Sequence, residues 1–160
     1  MEDNYNGEEL LISSPAFKDG EYIPAKYTCE GDNISPPLSI QQIPHEVQTL
    51  AIIVEDPDAP KGVFDHWVVW NIERMELIGE NTTPGISGRN GTGKTGYSGP
   101  CPPSGSHRYF FHVYALDILL DLEPGSDKEQ LETAMGGHIV ARGSLMGYYR
   151  KMGTAAGVNK

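Results

Sequence analysis

The stretch GPCPPSGSHRYFFHVYAL, residues Gly99 to Leu116, decides how the rest of the chain is read. Pro100, Pro102 and Pro103 have a fixed φ and no amide donor, so they form a stiff entry that cannot join a sheet ladder. From Ser106 onward the residues turn aromatic and β-branched, the composition of a pleated strand. Side chains of period two then place His107, Tyr109 and Phe111 on one face, and Arg108, Phe110 and His112 on the other. A histidine and a tyrosine at a strand start, beneath a rigid loop, form one wall of a small polar pocket.

A second segment supplies the opposite wall. Leu50 to Val54 is an apolar run that predicts a buried strand. It leads into DPDAP at Asp56 to Pro60, and after five more residues His66 opens another strand, HWVVWNI. Asp56 and Asp58 are two apart in a proline-restricted extended segment, so both carboxylates are expected on the same side. The candidate ligand-binding residues are Asp56, Asp58, His66, Cys101, Pro102, His107 and Tyr109.

Those motifs, with YTCEGDNISPPL at Tyr27 to Leu38, GRNGTGKTGYSGPCPP at Gly88 to Pro103 and GHIVARGSLMGYYRK at Gly137 to Lys151, resemble the phosphatidylethanolamine-binding protein family, which includes the Raf kinase inhibitor proteins. The form is most similar to the bacterial and archaeal branch, and the resemblance runs from Leu10 to Lys151. It implies a β-sandwich of antiparallel-rich sheets with one or two peripheral helices. It implies a ligand pocket in which His107 and Tyr109 match the family's HRY motif, His66 its pocket histidine, and Asp56 and Asp58 the acids of DPDAP. Ala59-Pro60 falls where the family has a cis proline. Kinase or serine protease partners and homodimerisation are further implications of the resemblance.

Composition points the same way on fold class. At 160 residues, 38% of them hydrophobic, one domain is the natural count. Gly 19 and Pro 12 make about a fifth of the chain, and with many short apolar runs this predicts an all-β protein over a helical bundle. The net charge of −10, without a basic stripe, argues against nucleic acid as partner. No run of about 18 apolar residues offers stable membrane insertion, and the acidic start MEDNYNGEE lacks the basic end of a signal peptide. The expectation is a cytoplasmic protein in which Cys29 and Cys101 are reduced thiols.

Along the chain, Met1 to Glu9 reads as a disordered acidic tail and residues 10–160 as a single domain. Strands are predicted near Leu10 to Ile12, Leu50 to Val54, His66 to Ile72, Arg108 to Leu116 and Ser144 to Tyr149. Ser126 and Glu129 have the spacing of a capping box, and Leu131, Ala134, Met135 and His138 follow at helical spacing. Glu73 to Tyr97 reads as one long loop. Within it GRNGTGKT, Gly88 to Thr95, matches the phosphate-loop pattern letter for letter, but NTTPGIS before it is no core strand and GYSGPCPPSG after it cannot form the required helix.

The chemistry left is recognition of a small phosphorylated or other anionic group. His66, His107 and Tyr109 are donors, and the amides of Gly99, Cys101 or Gly105 are candidates to complete the cage. Asp58 is expected to keep a neighbouring histidine charged, and Asp56 to meet a donor group of the ligand. Two Asp and two His suit a metal-assisted phosphohydrolase in ligand type, but not in spacing. There is no GxSxG, and Cys101 is set between prolines. Binding without catalysis, cofactor or metal is therefore the expectation.

Overall fold

The computed structural model describes residues 7–151. Among the described residues are eight strands, one α-helix and a 3-10 turn at Ala25–Tyr27: β1 (Leu11–Ser13), β2 (Leu38–Gln41), β3 (Thr49–Asp56), β4 (Phe64–Glu73), β5 (Leu77–Ile78), β6 (Ile86–Ser87), β7 (Ser106–Leu116), α1 (Lys128–Met135) and β8 (Ile139–Arg150). A small sheet runs β1-β2-β5 and a large one β6-β4-β3-β7-β8, with every neighbouring pair antiparallel. The chain is mainly β, as expected. No helix among the described residues is long and apolar enough to cross a membrane.

Alternation along β3 and β7 builds two cores. Leu50, Ile52 and Val54 join Phe111, Val113, Trp67 and Val69 in the layer between the sheets, where Leu38 and Ile40 of β2 cover them. Ala51, Ile53, Val68 and Trp70 face the other way, under Leu131 and Met135 of α1. Each fully buried aliphatic side chain is worth roughly 1.5–3 kcal/mol, so both faces of this sheet contribute to stability. Beyond the helix the outer face continues to Glu55, Phe110 and His112, where the side chains are partly exposed and charged groups enter.

Several sequence expectations need correction. Four of the predicted strands are present but longer, because ladder pairing extends past each apolar run; the first is shifted by one residue to Leu11–Ser13, and β2 is an addition. The region 73–97 is not one loop, since β5 and β6 add short edge strands to the two sheets. The capping box is one residue later: Asp127 accepts from the Gln130 amide at 2.9 Å, and the Gln130 side chain accepts from the Asp127 amide at 2.9 Å. Ser126 instead donates to the Glu123 carbonyl. His138 lies beyond the helix and bonds Asp117. Of the expected acidic tail, residues 1–6 lie outside the described residues, whereas Glu8 and Glu9 run alongside Arg142 of β8. GRNGTGKT is a tight turn closed by Arg89 pairing with Thr95, with Asn90 accepting from both Thr92 groups.

Candidate functional site

A pocket of about 230 Å³ opens where β3, β4 and β7 meet the 98–103 loop. It is lined by Asp56, His66, Cys101, Pro102, His107 and Tyr109, with Phe64, Pro60 and Pro103 as apolar wall. Strict alternation puts His107 and Tyr109 there from β7. His66 arrives by a different device. Val54 pairs with Trp67, and the next residue, Glu55, pairs with Asp65, so His66 is an extra residue in β4. Such a bulge re-aims one side chain without disturbing the flanking strand. Asp65 stays on the outer face with Lys128, while His66 turns inward against Tyr109 and Phe64 packs on its ring.

Asp56 and Asp58 do not act together. The buried Asp56 accepts from His107 Nδ1 at 2.7 Å, and its other oxygen accepts the Asp58 amide at 2.7 Å across Pro57. Asp58 is turned away from the pocket and takes the Arg108 guanidinium at 2.8 and 2.9 Å and the Arg108 amide at 2.9 Å. The hydrogen bond from Arg108 holds the Asp58 carboxyl down at about 2. The expected division of roles is therefore corrected in one part: it is Asp56, not Asp58, that partners a histidine, and Asp58 anchors the strand entry outside the pocket. A carboxylate can only accept, so the proton on Nδ1 of His107 is fixed and Nε2 is left as the ring's other polar atom.

His66 donates from Nδ1 to the Ser98 carbonyl at 2.6 Å, and its own carbonyl accepts from the Ser98 amide at 2.9 Å. Burial pushes its pKa below the usual histidine range, against the pull of Ser98 and Asp56. It is therefore a neutral ring at neutral pH, not a standing cation. Tyr109 is fully buried, and its hydroxyl meets hydrogen-bond geometry with no described residue. Burial, then the nearby Asp56 charge, push its pKa up, so the phenol keeps its proton as a donor.

The loop that closes the pocket is clamped more firmly than its prolines require. Cys29 and Cys101 form a disulfide across 72 residues of sequence, which corrects the expectation of reduced thiols. Cys29 also donates its amide to Pro100 O at 3.1 Å, and Tyr97 donates its hydroxyl to Tyr27 O at 2.7 Å. The Gly99 amide is engaged by Asn33 Oδ1 at 2.8 Å, so it is withdrawn from the expected cage. A Cβ at Gly99 would collide with the Tyr27 carbonyl and with Asn33, which explains glycine there. Ala59-Pro60 is trans, as is every described peptide bond.

Beyond the loop residues next to its candidates, sequence reasoning missed contributors from other segments. Ser98 lines the pocket from the 98–103 loop, Thr92 from the turn closed by Arg89 and Thr95, and Phe64 through the bulge. Only the bulge had a local cue, the pair Phe64 and His66 flanking an acid. Among the described residues, no group of three or more His, Cys, Asp or Glu side chains is placed to hold a metal ion.

Comparison with known proteins supplies a context for this geometry. A family model described as phosphatidylethanolamine-binding protein matches residues 13–150. A UPF0098 protein of Pyrococcus abyssi is 49% identical over 156 residues, covering 91% of this chain and 88% of that protein. The crystal structure of a putative phosphatidylethanolamine-binding protein homologue from Chlamydia trachomatis is 44% identical with a TM-score of 0.87, covering 91% of this chain and 99% of that one. YbcL of E. coli, described as a member of the mammalian family, is 28% identical with a TM-score of 0.82 over 89% of this chain and 99% of its own.

Proposed function

The chain belongs to the phosphatidylethanolamine-binding protein family, and from that premise we propose that its pocket binds a small phosphorylated or otherwise anionic head group without transforming it. The observation that carries this reading is the Tyr109 hydroxyl, a buried donor that meets no protein acceptor at full hydrogen-bond geometry although Asp56 is close by, on a ring set between two imidazoles. A buried polar group of this kind loses free energy until a partner supplies the acceptor. The Asp56 charge, which would repel an anion, is tied to His107 and to the Asp58 amide. With Asp56 accepting at Nδ1, Nε2 of His107 is left to accept from an acidic O–H of the head group, such as a hydrogen phosphate carries.

The test is a side-chain NMR titration of His45, His66, His107, His112 and His138 with phosphoethanolamine and with inorganic phosphate in metal-free buffer. Saturable shifts confined to His66 and His107 are expected. A folded protein showing no shift at either would overturn the reading.

A second reading has its own observation. Phe64, Thr92 and Ser98 line the pocket from the turns at Lys61 to Asp65 and Gly93 to Ser98 or beside them. A protease or kinase docking on those turns would sense an occupied pocket. Stoichiometric loss of activity in a panel of serine proteases and kinases is the outcome that favours this reading, and unchanged activity across the panel removes it.

A further inference from the structure

On the outer face of the large sheet lies a constellation that the pocket does not use. His112 of β7 bonds Ser144 Oγ of β8 through Nδ1 at 2.7 Å and Glu55 Oε2 of β3 through Nε2 at 3.2 Å. His112 and Ser144 are directly opposite in the ladder, and Glu55 is on the same face. The hydrogen bond from His112, opposed by burial and assisted by Lys128, holds the Glu55 carboxyl below its ordinary range. Glu55 is therefore an acceptor only, and Nε2 must carry its proton. In the neutral ring Nδ1 is then bare, and the Ser144 hydroxyl donates to it. This is the arrangement that makes a serine nucleophilic: an oriented base on the hydroxyl, and an acid fixing the tautomer.

The site also has room and a donor. His112 and Ser144 border a cleft of about 710 Å³ with Leu10, Leu11, Asp19 and Arg142. Along β8 the amides of Arg142, Met146 and Tyr148 point away from β7, to Glu8 O, Asp19 Oδ1 and Glu21 O. Ser144 has the same parity, so its amide points outward as well, at the gap between the segments covering Arg142 and Met146. An amide on that side can donate to the oxyanion that forms on the carbonyl oxygen of an ester attacked by Oγ.

We propose that Ser144, His112 and Glu55 form a second site that transfers the acyl group of a small neutral or cationic ester to water. Ser144 Oγ bonds the ester carbonyl carbon as its proton passes to His112 Nδ1. The ester C–O bond breaks, and the leaving alkoxide takes that proton. Water then bonds the acyl carbon as its proton passes to His112 Nδ1, the acyl C–Oγ bond breaks, and Ser144 Oγ takes that proton back as the carboxylic acid leaves. Glu55 stays ionised throughout as a positioning residue. Glu9 and Asp19 at the cleft disfavour an anionic substrate, and exposed Leu11 offers an apolar contact for the acyl chain.

The experiment treats the whole chain with a fluorophosphonate and locates the adduct by peptide mass spectrometry, with hydrolysis of 4-nitrophenyl acetate as a second readout. The expected result is an adduct on Ser144 that Ser144→Ala abolishes and His112→Gln slows by roughly a hundredfold, the scale of a lost general base. Glu55→Gln is expected to move the pH midpoint of labelling downward. The groups that act on His112 are Glu55 from β3, Lys128 from α1 through Glu55, Ser144 from β8, and Glu9, Asp19 and Arg142 around the cleft. His138→Gln removes another carboxylate-bonded histidine and leaves labelling unchanged. The proposal is overturned by an adduct elsewhere, by no adduct in the folded protein, by His112→Gln labelling at the parent rate, or by a Glu55→Gln midpoint that does not move.

Discussion

Glu55 and Asp56 are adjacent on β3, and each holds a histidine of β7, on opposite faces of the same sheet. On the inner face the Asp56 and His107 side chains are 4% and 9% exposed, and a cross-linked proline loop closes over them. On the outer face Glu55 and His112 are each 25% exposed, and Glu55 is shared with Lys128. One chemical pair, repeated at two depths, gives two kinds of site. Burial fixes the inner pair and gives its loss a high cost, while the outer pair is open to solvent and salt and so can be altered with little damage to the fold.

Each prediction bears on that contrast, beginning with the loop that makes the inner face deep. Replacing Cys29 and Cys101 by serine removes a constraint on 72 residues and should lower unfolding free energy by about 4 kcal/mol, read by urea denaturation. Next, Asp56→Ala strands a buried imidazole donor and should cost about 2–3 kcal/mol. Glu55→Ala should cost less than about 1 kcal/mol. Equal losses in the same denaturation assay would mean that burial is not what separates the faces.

Acid should act on the inner face in a definite direction. The folded state holds the His66 pKa below the ordinary value of 6.5, so above that pH both states are neutral and nothing is lost. As pH falls below 6.5 the unfolded chain takes up the proton first, and stability declines. A thermal midpoint followed from pH 7.5 to 5 should fall, and His66→Asn should flatten the slope. Asp58 gives the smallest effect. Its stabilisation is full above 3.8 and disappears as pH falls from 3.8 to about 2. Because the pair with Arg108 is largely exposed, Asp58→Ala should cost only about 0.5–1 kcal/mol at neutral pH.

What was legible in the sequence was whatever period two can carry. The alternation in Ser106 to Leu116 assigned both faces of β7, and with them His107 and Tyr109. His66 was legible as a residue but not as a direction, because the alternation that places its neighbours fails at a bulge. Asp58 was misassigned since nothing local says that Arg108, fifty residues away, supplies both its guanidinium and its amide. The cysteine pair is separated by most of the sandwich, and the pairing of His112 with Ser144 exists only once β7 and β8 are in register. These contacts belong to the topology, and no window of sequence contains them.

The disulfide also divides the molecule mechanically. Pulled from its two ends, the chain cannot lengthen between Cys29 and Cys101, which hides up to ~250 Å of contour from an extension trace at about 3.5 Å per residue. The hidden ring holds β2 to β6, with Asp56, His66 and Glu55 in it, while β7 and β8 lie outside with His107, Tyr109, His112 and Ser144. Force would draw the two histidine-bearing halves of both sites away from their carboxylates along one seam, the β3–β7 ladder, and a reducing buffer would restore the missing length.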